Sequence, residues 1–453
     1  MTVQDGGGTQ VTRRLAEMAA GLQLADVDED SRKVARQCLM DWFAVTLAGA
    51  DEPCVDLLAA DAEEQGGNAQ ATLVGRGARV ASRQAALING TASHAHDYDD
   101  VNMALTGHAT VAVAGGLLAL AEKTGASGAD VLTSFIAGYE TACRVGALVM
   151  PGHYAVGFHS TATAGAFGAA AACGRLLGLD AATMARAFGI VGTMAAGLKS
   201  QFGTDCKPFH AGRATEAGMM AATMAARGFT SRSDILDCAQ GFADTHSQDF
   251  NPERAIGPAP GGSFHVRNNL FKYHAACYLT HAAIEAGRNI RLQQGVAPDR
   301  VADVSIRLEK GADRVCNIPE PATGLETKFS LRMTTAFALA GVDTAGMANY
   351  TGANATDPAL VGLRDRTRVD LVEGVPATWT EVTVRTDDGR TFSAIHDSGI
   401  PAADVDAQGA RIAAKFDALT VPVIGDNRAQ ALRGALADID SAPDLSEIMQ
   451  LAA

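Results

Sequence analysis

The sequence predicts a mostly α fold, with a large all-helical domain and a smaller α+β domain inserted into it. Three observations carry this expectation. Apolar residues recur at helical spacing over most of the chain up to Asn251, and again after Pro401. Glycine contributes 48 residues and aromatic residues only 5%, a composition that lets helices approach closely. Between the two helical regions lie alternating, strand-like segments and an Asp-Gly turn. A chain of 453 residues also exceeds the size at which single cores usually stop growing, so two or three domains are expected. The helical domain is placed at residues 1–265, completed by 400–453, and the inserted domain at 266–399.

Residues 1–10 are expected to be a disordered lead, without the basic and apolar regions of a signal peptide. Helices are expected at 11–22 and 31–47, the second with Val34, Cys38, Leu39, Trp42, Val45 and Thr46 as its inner stripe. Residues 71–80 are short, β-prone and punctuated by glycine, which suits a small hairpin or a loop. Ser82 suits the N-cap of the next helix. Ser127 and Asp130 form a capping pattern that opens an apolar helix through Gly146. A helix over 159–177 is stopped by Gly178. Asp180 caps the next, over 181–197, and a further helix runs from about Arg213 to Arg227, ended by Gly228.

Three prolines and three glycines in residues 251–263 mark a boundary. After it come a helix near 274–288, a strand at 301–308, a helix at 328–340, and strands at 380–386 and 390–396 joined by Asp387, Asp388 and Gly389.

A net charge of −14 argues against a nucleic-acid surface. The eight cysteines are scattered, with no Cys-x-x-Cys pair, as expected for reduced thiols in a cytoplasmic protein. No apolar run reaches the ~20 residues that span a bilayer, so no membrane partner is expected. There is no dinucleotide fingerprint, Walker loop or nucleophile elbow.

The chemistry concentrates in residues 94–114, HAHDYDDVNMALTGHATVAVA. Three histidines (His94, His96, His108) and three aspartates (Asp97, Asp99, Asp100) lie there between Ala- and Leu-rich flanks that read as buried helices. Unpaired buried charge is costly, so the stretch is either a site or a tightly paired network. Metal ligation is not expected. His94 and His96 do not share a helix face, and no second cluster completes a closed site. Acid–base work, with a carboxylate orienting an imidazole, fits better.

Three further motifs carry polar groups. GFHSTATAG puts His159 at a helix start, where backbone N–H groups favour anions. KSQFGTDCKPFHAG puts Lys207 in a short loop ahead of a helix, a candidate anion anchor. KYHAACYLTH gathers Lys272, His274, Cys277 and His281 just past the domain boundary. Nothing in the sequence indicates a lowered pKa for Cys277, so a thiol nucleophile is not expected.

Together HAHDYDD…GHATVA, GFHSTATAG, GTDCKPFHAGRATEAG, KYHAACYLTH, the later KFSL and the C-terminal Lys415-Phe416 resemble the 2-methylcitrate dehydratase (MmgE/PrpD) family over nearly the whole chain. The resemblance implies a helical domain, a lid domain, a homodimer and no required metal or organic cofactor. It implies a small polycarboxylate substrate, with 2-methylcitrate dehydration, cis-aconitate decarboxylation and iminodisuccinate epimerisation as the family's activities. By resemblance, Asp97 matches the active-site aspartate and His108 the histidine after it, with one extra residue in the loop between. His159, Lys207 and Lys272 match other polar pocket residues. Cys277 and Val101 stand where the decarboxylase branch carries a histidine and a hydroxyl residue, which favours a different substrate.

On this reading His108 and His159 form the acid–base pair, with Asp97 orienting one of them. Lys207 and Lys272 grip carboxylates, and His94 and His281 complete the substrate-binding set. The expected activity is a cofactor-independent lyase, foremost a hydro-lyase of the 2-methylcitrate type. The alternatives are a dicarboxylate epimerase, a cis-aconitate decarboxylase-like enzyme and a non-catalytic carboxylate-binding protein.

Overall fold

The computed structural model describes residues 10–453; the rest of the expected N-terminal lead lies outside the described residues. The fold is mostly helical. Two compact units make it up, one reaching Phe271 and resumed over Ala403–Ala453, the other Lys272–Ala402. Among the described residues no helix is long and apolar enough to cross a membrane.

In the larger unit the helices Val11–Gly21 and Glu29–Ala48 lie where apolar spacing predicts them, and the expected inner stripe of the second is buried. Its N-cap, Asp28, accepts from the Ser31 N–H. The apolar runs form the fully buried faces of Ala109–Thr124 and Ser160–Leu176. The latter packs against Gly128–Val149 and Cys206–Ala226, which in turn packs on Ser82–His94.

Small residues make these contacts possible. A Cβ built on Gly168 would lie 2.6 Å from the Gly138 carbonyl oxygen of the neighbouring helix. Replacing a helical glycine by alanine ordinarily gains about 1 kcal/mol. At Gly168 the sign reverses. Gly168→Ala is expected to destabilise the protein by about 1–3 kcal/mol, read as a lower urea midpoint at unchanged m-value.

The larger unit is not all-helical. β1 (Ala71–Thr72) and β2 (Arg79–Val80) pair antiparallel, with glycines at positive φ (Gly75, Gly77) in their turn. Several element boundaries also differ from expectation. Ser82 is the first helical residue, and Ala81 precedes it with its N–H bonded to Gln84 Oε1 at 3.0 Å. The Ala181–Gly192 helix is shorter than expected. The helix expected from about Arg213 begins at Cys206, so Lys207 sits in its first turn rather than in a loop. Pro208 does not delay the helix, because a first turn tolerates proline. The helix Pro53–Gln65, opened by a proline, was not anticipated.

The smaller unit holds a four-stranded sheet in the order β4–β3–β5–β6: β3 is Val301–Glu309, β4 Thr367–Val372, β5 Trp379–Thr386 and β6 Thr391–Asp397. The β5–β6 hairpin turns through Asp387 to Gly389, with Gly389 at φ 85°. β4 pairs parallel to β3 and was not expected. It is a partly exposed edge strand bearing Arg368 and Asp370, and edge charges obscure a strand pattern. The helices His281–Leu292 and Leu331–Ala340 pack together. The first starts seven residues later than predicted from His274, because residues 274–280 form a bend and a 3₁₀ turn.

Candidate active site

The described residues of the larger unit bring five expected site residues together: His94, Asp97, His108, His159 and Lys207. His94 ends its helix, and the chain turns sharply after it. Asp97 has φ 51° and its N–H bonds the His94 carbonyl at 3.1 Å. Aspartate is among the few residues that tolerate this conformation. Two residues later Asp99 is buried, with its carboxylate bridging two imidazoles. Oδ1 lies 2.8 Å from His94 Nδ1, and Oδ2 lies 2.7 Å from His108 Nδ1.

A small loop then delivers His108. Asn102 and Gly107 exchange backbone hydrogen bonds, and the His108 N–H donates to Thr161 Oγ1 at 3.0 Å. The rings of His94 and His108 stand 4.6 Å apart.

Asp97 does not orient an imidazole, as the sequence led us to expect. Its Oδ1 is 3.6 Å from His108 Nε2, beyond hydrogen-bond reach, and 2.7 Å from Lys207 Nζ. The orienting carboxylate is Asp99. His159, at the N-cap of Ser160–Leu176, is fixed by its N–H to the Gly197 carbonyl. Its ring lies 6.1 Å from that of His94, and its Nδ1 meets His210 Nδ1 at 3.0 Å.

The family models decide which family the chain belongs to. Residues 13–255 match the MmgE/PrpD N-terminal domain, and residues 274–440 match the MmgE/PrpD C-terminal domain. The chain belongs to the MmgE/PrpD family. Over 319 residues it is 29% identical to the cis-aconitate decarboxylase-like protein oryM of Aspergillus oryzae, covering 67% of this chain and 65% of that protein. It is 26% identical to the cis-aconitate decarboxylase of Aspergillus terreus over 68% of this chain and 67% of that one. For the Mus musculus cis-aconitate decarboxylase the identity is 27%, over 71% and 68%. The matched span is therefore about two thirds of these relatives' length.

The charge states of these residues follow from burial and from neighbouring charge. Burial alone would raise the Asp99 carboxyl, but His108 and His94 outweigh it and hold it well below the ordinary range. Asp99 is thus ionised; Oδ1 hydrogen-bonds His94 Nδ1, and Oδ2 lies 2.7 Å from His108 Nδ1 as an ion-pair contact, so that Nε2 of each ring is the nitrogen turned away from the carboxylate. Burial pushes His94 down to about 4 despite the pull of Asp99. Burial, then the charges of His94 and Lys207, push His159 well below its usual value. His159 is therefore a neutral hydrogen-bonding group at pH 7.

Ligand atoms of His94, Asp97, Asp99 and His108 all lie within 4.8 Å of one another and are spaced to hold a metal ion. The Lys207 ammonium on Asp97 and the two imidazole Nδ1 atoms on Asp99 already engage those carboxylates. A divalent cation would have to displace a fixed positive charge.

Two expected residues belong to the smaller unit. Lys272 is buried there, and so is His281, with Nε2 3.2 Å from the Ala276 carbonyl and its ring 4.9 Å from that of His274. Burial, then the charges of His274 and Lys272, push His281 well below its usual value. Cys277 is half-buried in the same unit and donates its N–H to the Lys328 carbonyl. Val101 exchanges both backbone groups with Leu270. His96 lies 3.0 Å from the Ala48 carbonyl and serves the scaffold.

The sequence reading gave no role to His210, Phe202, Tyr154 or Lys199. His210 is three residues after Lys207 on one helix and so shares its face. Phe202 meets the His159 ring edge-on at 4.9 Å. Burial and the Asp97 charge raise the Tyr154 hydroxyl, and Lys199 Nζ lies 3.6 Å from the Tyr154 ring centre.

A pH dependence of stability follows. His94, His153 and His265 are pushed to about 4, mainly by burial, and His159 and His281 lower than usual for the same reason. Between pH 6.5 and 4 the unfolded imidazoles bind protons that the folded ones refuse, so stability falls as pH falls. Asp100 and Glu140, raised to about 7 by burial, act in the opposite sense, but they are two against five. The thermal midpoint is expected to drop between pH 7 and pH 5. A midpoint that rises on acidification would contradict these charge states.

Proposed function

We propose that this chain is a lyase that removes a proton from carbon next to a carboxylate of a small polycarboxylate, foremost as a hydro-lyase of the 2-methylcitrate type. The observation that carries the reading is the Asp99-bridged imidazole pair beside Lys207. His108, with Nδ1 held by Asp99, offers Nε2 as base, and the buried carboxylate stabilises the imidazolium that forms. Lys207, paired with Asp97, is a fixed point charge suited to a substrate carboxylate and to the enediolate that develops on it.

In the hydro-lyase the C–H and C–O bonds break, a C=C bond forms, and the imidazolium returns its proton to the departing hydroxide, giving water. His159, neutral, hydrogen-bonds the substrate. This departs from the expected acid–base pair of His108 and His159, since one imidazole, His108, carries the proton both ways.

Decarboxylation is the second reading. The names of the matched relatives favour it, whereas Val101 and Cys277 disfavour it. There the C–C bond to a carboxylate breaks, carbon dioxide leaves, and the electron pair left on the carbon skeleton takes a proton from His108, which in this reading must enter the cycle as the imidazolium and regain its proton from solvent. The two readings separate when the purified chain is incubated with 2-methylcitrate and with cis-aconitate while products and carbon dioxide are followed. Loss of water from 2-methylcitrate supports the first reading, and carbon dioxide from cis-aconitate the second. Deuterium exchange in D2O without net elimination supports an epimerase.

A further inference from the structure

The acid–base cluster rests on a charge that comes from the far end of the larger unit's chain. Lys415 lies on the Val405–Ile424 helix, 317 residues from Tyr98, and is 4% exposed. Its Nζ sits 2.6 Å from Asp41 Oδ1, donates to the Tyr98 carbonyl at 2.7 Å, and stands 4.0 Å from the centre of the Tyr98 ring. The ammonium group is thus engaged by a carboxylate, a carbonyl and an aromatic face. Asp41, on Glu29–Ala48, is equally buried. Tyr98 is the residue before Asp99.

A buried ion pair adds little stability over apolar residues of the same volume, so stability alone does not account for this one. Its placement does. Asp99 and Asp100 also attract Lys415, and Asp100 is held by Thr110 Oγ1 at 2.6 Å and Asn269 Nδ2 at 3.0 Å. Three carboxylates thus converge on one ammonium, and only Asp99 among them reaches the imidazoles.

We propose that Lys415 is a positioning residue for the acid–base site: it clamps the Tyr98 carbonyl and so fixes the Asp99 carboxylate against Nδ1 of His94 and His108. Its charge also balances the carboxylates buried around it. The inference rests on the acid–base reading above. Lys415 itself need not touch substrate. The other titratable or charged groups near these imidazoles are Lys207, Asp97, His159 and His210, and Asp41 and Cys38 face the buried carboxylates from Glu29–Ala48.

The test compares Lys415→Met, Lys415→Arg and the double variant Asp41→Asn/Lys415→Met, which leaves no unpaired buried charge if the single variant fails to fold. The first readout is proton NMR of the ring N–H groups. The native chain is expected to show two downfield Nδ1–H resonances, assigned by their loss in His94→Gln and His108→Gln. They should broaden or shift in Lys415→Met and in the double variant, and persist in Lys415→Arg. The second readout is the pH profile of kcat/KM. In the double variant the charge lost with Lys415 is balanced by the one lost with Asp41, so the expected change is that of a loosened Asp99 carboxylate, which supports an imidazolium less well: the acidic limb should move to lower pH. The rate should fall by about 10- to 100-fold, with KM little changed. Unchanged resonances and an unchanged limb in a folded double variant would overturn the proposal. If the native chain turns over none of the substrates, the acid–base reading fails, and the ring-proton comparison still decides the role of Lys415.

Discussion

Asp99→Asn is expected to lower kcat/KM by about 10³- to 10⁴-fold while leaving the fold intact. The carboxylate stands against two imidazoles at once, hydrogen-bonded to His94 Nδ1 at 2.8 Å and 2.7 Å from His108 Nδ1. An amide of the same shape has one oxygen and one NH₂ group. Whichever way it turns, one ring faces a donor and must switch to the tautomer with hydrogen on Nε2. If that ring is His108, the base is lost. If it is His94, the His108 imidazolium still loses the negative charge that stabilises it. The acidic limb of the surviving activity should then move to lower pH, because an imidazole without its carboxylate is a weaker base. A variant within tenfold of the native rate would show that Asp99 has no catalytic part.

Lys207→Met should cost about 10²- to 10³-fold in kcat/KM, shared between a higher KM and a lower kcat. The ammonium is placed both to hold a substrate carboxylate and to meet the charge of the enediolate. The Lys207 ammonium stands beside the imidazole cluster and disfavours protonation of His94 and His159, and removing a cation favours imidazolium in its neighbourhood, so the acidic limb of the pH profile should move upward. The shift is opposite in sign to that of Asp99→Asn, and the pair of profiles separates the two roles. Lys207→Arg should restore little, since a planar fork does not reproduce a compact point charge in a site built around Asp97 Oδ1.

Much of this site was legible in the chain before its geometry was known. Residues 94–108 stood out because titratable groups lay between two apolar helices, and the structure buries His94, Asp99, Asp100 and His108 there. The particular partners were not legible. His94 and Asp99 are five apart across a helix end, where no periodicity relates their side chains, so the orienting role fell to Asp97 instead. His210 was hidden by the misplaced helix start: with the helix begun at Cys206, Lys207 and His210 share a face by spacing alone. Lys415 was visible only as part of a resemblance, because nothing local announces a contact 317 residues away. Among the elements, the β5–β6 hairpin was marked by its Asp-Gly turn, whereas β4 carries edge charges and pairs with β3 only after a long crossover.

The most direct test of the account is hydrogen exchange at the carbon next to the carboxylate. The native chain and His108→Gln would be incubated in D2O with 2-methylcitrate, citrate and cis-aconitate and followed by proton NMR. The account predicts that at least one substrate loses or exchanges its α-proton with the native chain, and that His108→Gln slows this by about 10²-fold or more. Substrates whose α-protons all persist with the folded native chain, or exchange that proceeds equally well without His108, would contradict it.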